Sequence, residues 1–157
     1  MLFNNTEQER FTLSRIDPTN PLAAYSKHGF ELDGEQWPSV EHYYQAMKFE
    51  EREYRDSIRN ATHPAEATKL GKSKKHGRRK DWDKVKVTYM TRATYIKCRT
   101  HPEVARTLME TGDMEIMETS QYDYYWGCGA DGSGRNMLGK ILEEVRAELR
   151  AGGEGVE

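Results

Sequence analysis

The sequence predicts an α+β protein, a mainly helical single domain around a small antiparallel sheet. Three observations predict it. Strand-like and helix-like stretches follow one another without regular alternation, which argues against a wound parallel sheet. Asp33-Gly34, set between Phe30-Glu31-Leu32 and Glu35-Gln36-Trp37, is a hairpin signal, because both turn positions need positive φ. From Ser39 onward the apolar residues recur mostly at helical spacing.

The elements follow in order. Pro38 stops the second hairpin strand. Ser39 then caps a helix through Phe49, with Val40, Tyr43, Tyr44 and Met47 on one side. A second helix spans Glu51 to Asn60. His63-Pro64 starts a third, and Gly71 ends it, since proline suits a first turn. Lys72 to Lys80 is a basic loop. Asp81 opens a longer helix on which Trp82, Val85, Tyr89, Ala93 and Ile96 repeat. Pro102 begins another, closed by Gly112. Glu115 to Glu118 and Tyr124-Tyr125-Trp126 read as short strands. A Gly-rich loop (Gly127, Gly129, Gly132, Gly134) leads into an amphipathic helix carrying Leu138, Ile141, Leu142, Val145 and Leu149. The tail from Ala151 to Glu157 is expected to fray.

Composition excludes several classes. The 157 residues suit one domain with a core that needs no staples. An aromatic content of 10% argues against disorder. The net charge of -2 does not suit a protein that binds nucleic acid over its whole surface. Basic charge is instead concentrated in Lys69, Lys72, Lys74, Lys75, Arg78, Arg79 and Lys80. Cys98 and Cys128 form no disulfide framework, which fits a reducing compartment. No apolar run is long enough to span a membrane, and the polar start does not resemble a signal peptide. A cytoplasmic location is expected.

Three constellations can carry chemistry. On a helix, Glu41, Gln45 and Lys48 share one face. That face is either a solvated ion-pair ladder or the wall of a cleft where a carboxylate and an amine do acid, base or nucleophilic work. The basic loop, ending at Asp81-Trp82, is either a solvated charge run or a site for phosphate. Asp123, Trp126, Gly127 and the glycines before Arg135-Asn136 form either an ordinary connection or a backbone cradle for an anion. The five histidines show no metal-binding spacing, so no metal is expected. Cys128 reads as a small packed residue rather than a nucleophile.

Together these segments resemble the YbiA-like (NADAR) family. The matching strings are Leu32 to Phe49, Arg79 to Lys86, Asp123 with Trp126-Gly127-Cys128-Gly129, and Gly134 to Gly139. The resemblance covers about residues 20–150. That leaves an N-terminal extension (1–19) and a flexible tail (151–157). It implies a fold of helices around a small sheet, N-glycosidase activity and no cofactor. The implied substrate is a phosphorylated ribosyl-base small molecule, an early riboflavin-pathway amino-pyrimidine, or an ADP-ribosylated base. Nucleic acid would enter only as a modified substrate. Glu41, Lys48 and Asp123 match the family's catalytic positions. Trp82, Trp126, Arg79 and Asn136 match binding positions, to which Gln45 and Gly127 are added from the constellations above. One departure is Leu22-Ala23-Ala24-Tyr25, where the family usually has a Ser-Asn pair ahead of an aromatic. The expected chemistry is attack of a neutral Lys48 at C1′, with Asp123 as proton shuttle and Glu41 as orienter. The competing reading is a non-catalytic module that binds ADP-ribose or nucleic acid.

Overall fold

The computed structural model describes residues 9–155, with side chains to Gly152. Its elements are β1 (Arg10–Leu13), β2 (Phe30–Leu32), β3 (Glu35–Trp37), α1 (Val40–Ala46), α2 (Arg52–Arg59), α3 (Pro64–Leu70), α4 (Trp82–Thr100), α5 (Pro102–Glu110), β4 (Glu115–Glu118) and α6 (Met137–Gly155). The α+β class is as expected, but the strands form two separate ladders. β2 and β3 pair antiparallel, with Phe30 opposite Trp37. β1 and β4 pair parallel, from Arg10 opposite Glu115 to Leu13 opposite Glu118. β1 lies within residues 1–19, expected as an extension; residues 1–8 and 156–157 fall outside the description.

Local chemistry explains most boundaries. Asp33 and Gly34 adopt φ of 56° and 79°, as the two-residue turn requires. The Ser39 hydroxyl accepts the His42 N–H at 3.1 Å and so caps α1. α1 ends at Ala46 rather than running to Phe49. Lys48 and Phe49 N–H groups reach back only three residues, to Gln45 and Ala46 carbonyls, which tightens the last turn. The chain then extends so that Phe49 bridges Arg78 and the Arg79 N–H donates to the Lys48 carbonyl at 2.8 Å. The basic loop is thus tied to the backbone of Lys48.

α5 stops at Glu110, and Gly112, in the left-handed region just beyond it, closes the helix as expected. One further expectation is corrected. Tyr124 to Trp126 form no strand. The Asp123 carboxylate takes the N–H groups of Tyr125 and Trp126, and the carbonyls of residues 124–127 accept from N–H groups of residues 135–138. The two segments therefore zip together as a loop.

The core sits where α4 packs against α1 and α6. Leu138, Ile141, Leu142 and Val145 of α6 and Met90 and Ala93 of α4 are buried there, with Tyr43 and Ala46 of α1. α3 and α2 cover the remaining side of α1. Consequently α1 is buried along its whole length, polar residues included.

Candidate active site

The polar face of α1 faces inward. Glu41 is fully buried, Gln45 nearly so, and Lys48 is 8% exposed. A solvated ladder is therefore ruled out for this face. A buried carboxylate needs several hydrogen-bond partners, and Glu41 has them. Arg15 donates twice, to Oε1 at 2.9 Å and to Oε2 at 2.7 Å. Gln45 and Thr68 each donate to Oε2 at 2.7 Å. The Tyr25 hydroxyl bonds Thr68 in turn at 2.7 Å. The Glu41 N–H is held by the Ala24 carbonyl. Burial is the largest single influence on Arg15 and opposes its charge, but Glu41, Tyr44, Tyr25 and Asp123 together outweigh it and raise its pKa.

Lys48 is held differently. Its only side-chain hydrogen bond among the described residues is a long one, 3.4 Å, to the Gly71 carbonyl. Its ammonium lies 5.6 Å from the centroid of the Tyr44 ring. Burial, helped by Arg78, Arg15 and Lys72 and opposed by Glu41, lowers its pKa to about 8. Desolvation of a lysine in a positively biased site is the recognised route to a reactive amine. Gln45 Oε1 and Arg15 Nε, in the same cluster, are buried and have no hydrogen-bond partner among the described residues. Gly71 must be glycine there, because a Cβ would fall 1.9 Å from Gln45 Oε1.

Tyr44 links this cluster to the tryptophans. Its ring meets Trp82 at 5.1 Å and Trp126 edge-on at 5.4 Å. Trp82 also stacks on Tyr89, and Trp126 meets Tyr125. Both indoles are mostly covered, forming an aromatic wall rather than free platforms. Asp123 follows β4 on the loop that carries Trp126, and its field reaches Arg15. Tyr44 thus touches Trp82, Trp126 and the Lys48 ammonium, and Arg15 joins Glu41 while feeling the charge of Asp123.

Three of the sequence candidates lie in the frame. Both polar atoms of the Asn136 carboxamide bond β4, accepting from the Glu118 N–H at 2.9 Å and donating to the Ile116 carbonyl at 2.8 Å. Arg79 forms a two-pronged pair with Asp81 and donates to the Tyr89 hydroxyl. Gly127 lies against Glu118, where a Cβ would come 2.1 Å from Oε1. Of the two readings of the Gly-rich segment, the ordinary connection is the one seen. N–H groups of Cys128, Gly129, Gly134, Arg135, Asn136, Met137 and Leu138 all donate to carbonyls within the fold. Cys128 is buried, and burial with nearby Glu118 raises its thiol pKa, which suits a packed residue.

Sequence reading missed Arg15, Thr68, Tyr25 and Glu118 as contributors. Glu118 is buried and accepts from the Arg15 and Ser120 backbone N–H groups and the Ser120 hydroxyl. A buried acid at the end of a strand was the one available signal. Ala23 and Ala24 are buried, and Ala24 serves Glu41 through its carbonyl, which any residue would supply. Among the described residues no group of three His, Cys, Asp or Glu side chains is arranged to hold a metal. Nor is any helix long and apolar enough to cross a membrane.

Comparison with known proteins gives the family and bears out the fold. The model of the NADAR domain matches residues 2–150. N-glycosidase Npun_R5314 of Nostoc punctiforme is 40% identical over 136 residues, covering 85% of this chain and 87% of that one. N-glycosidase YbiA of Escherichia coli is 35% identical over 136 residues, covering 87% and 85%. The NMR structure of that protein superposes with a TM-score of 0.84 at 31% identity, over 95% of this chain and 90% of that one. Riboflavin biosynthesis protein VVA0006 of Vibrio vulnificus is 38% identical over 129 residues, which are 82% of this chain but 35% of that longer one. The chain therefore belongs to the NADAR domain family, as a hydrolase of N-glycosyl bonds.

Proposed function

We propose that the chain hydrolyses the C1′–N bond of a phosphoribosylated amino-pyrimidine or of an ADP-ribosylated nucleobase, with Lys48 as nucleophile. One observation carries this reading: a buried lysine of lowered pKa stands two turns from a buried, fully partnered carboxylate, against an aromatic wall. The relatives named for N-glycosidase activity and riboflavin biosynthesis support the substrate class.

In this mechanism the neutral Lys48 amine attacks C1′. The C1′–N bond breaks, and its electron pair leaves on the base nitrogen. Asp123 takes a proton from the new C1′–nitrogen centre and delivers it to the departing base. The glycosylamine opens to a Schiff base, and water releases the sugar and restores Lys48. Positive charge builds on the anomeric carbon during bond cleavage, and carboxylates near it lower the barrier. Glu41, fixed by Arg15, Gln45 and Thr68, orients the ribose hydroxyls and keeps Lys48 in line. Tyr44, Trp82 and Trp126 wall the ring and exclude water. The exposed lysines of the basic loop hold the phosphate, while Arg79 and Asn136 brace the frame.

The test is incubation with a panel of ribosylated amino-pyrimidine phosphates and ADP-ribosylated bases, with borohydride added during turnover. Free base and a reduced sugar adduct on Lys48 are expected by mass spectrometry. Wild-type turnover in Lys48→Ala would overturn the assignment.

A further inference from the structure

Among the described residues, Ile16, Tyr122 and Tyr124 are the exposed large hydrophobics, at 54%, 93% and 44%. All three line one cleft of about 550 Å³, together with Arg15 and Asp123. Single exposed apolar residues mean little, but their convergence on one charged cleft marks a binding surface. Arg15 connects that cleft directly to Glu41.

The two tyrosines are not equivalent to their neighbour. Two cations engage the Tyr125 ring, with Lys86 Nζ 3.9 Å and the Arg135 guanidinium carbon 5.3 Å from its centroid. Tyr124 is half-open yet fixed. Its ring lies over Gly129, where a Cβ would approach within 2.3 Å, and its hydroxyl accepts the Ala130 N–H at 3.2 Å. Gly129 has φ of 75°, so glycine serves both the turn and the ring above it. Tyr122 stands free beside it. A pre-positioned ring, a free ring and a carboxylate with hydrogen-bonding capacity are the elements that recognise a flat, polar-edged heterocycle.

We infer that this cleft is the leaving-group subsite, where Tyr122 and Tyr124 stack on the heteroaromatic base and set which base is accepted. The assignment rests on the reading of Asp123 as the group that protonates the departing nitrogen, since that atom must then lie at this cleft. The sugar occupies the Glu41–Lys48 side, and the base projects past Arg15 toward the tyrosines. Because the cleft is open on the tyrosine side, ring area contributes to binding there, and a two-ring base gains more than a one-ring base.

Product inhibition separates the two halves of the site. In Tyr122→Ala and Tyr124→Ala, inhibition by the free base weakens about 5- to 160-fold, the range for removal of one base-stacking ring. Inhibition by ribose 5-phosphate is unchanged. The loss in kcat/KM is larger for a purine ribotide than for an amino-pyrimidine ribotide, and it falls mainly on KM. Tyr122→Trp, which leaves the packing of Gly129 untouched, tightens free-base inhibition. Equal free-base inhibition in wild type and all three variants would overturn the inference while leaving the N-glycosidase reading intact. If no ribotide is turned over, the proposed function fails instead, and equilibrium dialysis of the free base against wild type and Tyr122→Ala still decides the subsite, equal retention counting against it.

Discussion

Two buried lysines in this molecule share a pKa lowered to about 8, and they have opposite surroundings. Lys97, on α4, is 1% exposed and spends its donors on three acceptors: the Pro21 carbonyl at 2.7 Å, the Ala23 carbonyl at 3.0 Å and the Ser26 hydroxyl at 3.0 Å. Lys48, beyond α1, has one long bond and an aromatic face. Burial alone lowers Lys97, whereas Arg78, Arg15 and Lys72 add to burial at Lys48. A lowered pKa therefore does not mark a reactive lysine. Hydrogen-bond saturation separates the two: Lys97 is a strut for residues 21–26, and Lys48 has donors to spare.

The largest effect expected from this contrast is on turnover. Lys48→Met lowers kcat by about 10³-fold or more, the scale on which losing a covalent nucleophile is felt. Its thermal midpoint stays near wild type, since one weak hydrogen bond is lost and a buried cation is removed. Steady-state kinetics beside thermal unfolding checks both halves. A collapse of the fold in Lys48→Met would erase the distinction from Lys97.

Next in size is Arg15. Breaking a buried pair leaves an uncompensated charge and costs about 3–5 kcal/mol, so Arg15→Met is expected to lose about that much, reduced by the bonds Glu41 keeps to Gln45 and Thr68. The double variant Arg15→Met/Glu41→Leu removes both charges. It recovers stability in denaturant titration but not turnover. Recovery of both would mean that Glu41 has only a structural role.

How far the sequence foresaw this site depends on how locally each part is specified. The hairpin was legible because Asp33-Gly34 names its own turn. α6 was legible because Leu138, Ile141, Leu142 and Val145 keep one period and face one core. The parallel β1–β4 ladder was not, because its partners stand about a hundred residues apart and each strand is only four residues long. Glu41, Gln45 and Lys48 were found by spacing and family resemblance. Their burial was not legible, since a polar helix face reads the same whether water or α3 covers it. Arg15 left no trace: a lone arginine in a short polar stretch acquires meaning only when the chain brings it to Glu41, 26 residues on. Arg79 and Asn136 were recognisable positions whose partners, Asp81 and the β4 backbone, recast them as supports.

Lys97→Met comes third. It deprives three acceptors near the loop of residues 21–26 of their donor, and unsatisfied buried groups cost about 1–3 kcal/mol each. Relief from burying a cation offsets part of that. A net loss of about 2–3 kcal/mol is expected, about 4–12 °C in thermal midpoint. Turnover falls less than in Lys48→Met, through the Ala24 carbonyl that holds Glu41. A midpoint equal to wild type would show that the loop does not need its strut.

The smallest effect lies in pH, and it uses both lysines at once. Each has a folded pKa of about 8 against an ordinary value near 10.4. Between those values the unfolded chain holds more protons than the folded one, so stability rises with pH across that window. Below about pH 8 both states are protonated, and the cost of the buried charge is fully present. Each lysine contributes at most about 1.4 kcal/mol per pH unit. Tyr43 and Tyr44, whose hydroxyls burial keeps protonated, reverse the trend above about pH 10, where unfolded tyrosine ionises. Cys98, pushed up to about 11 by burial, and Cys128, also raised, pull the other way once an unfolded thiol ionises above about pH 8.5. Urea titrations at pH 8, 8.5, 9 and 9.5 should therefore show the stability slope drop by a similar amount in each single variant and by about twice that in Lys48→Met/Lys97→Met. Turnover, by contrast, should climb with pH to a plateau above about 8 in wild type and keep that midpoint in Lys97→Met, because only the Lys48 amine must be neutral to attack. A midpoint that moves with Lys97 would assign the reactive titration to the strut and reverse the comparison.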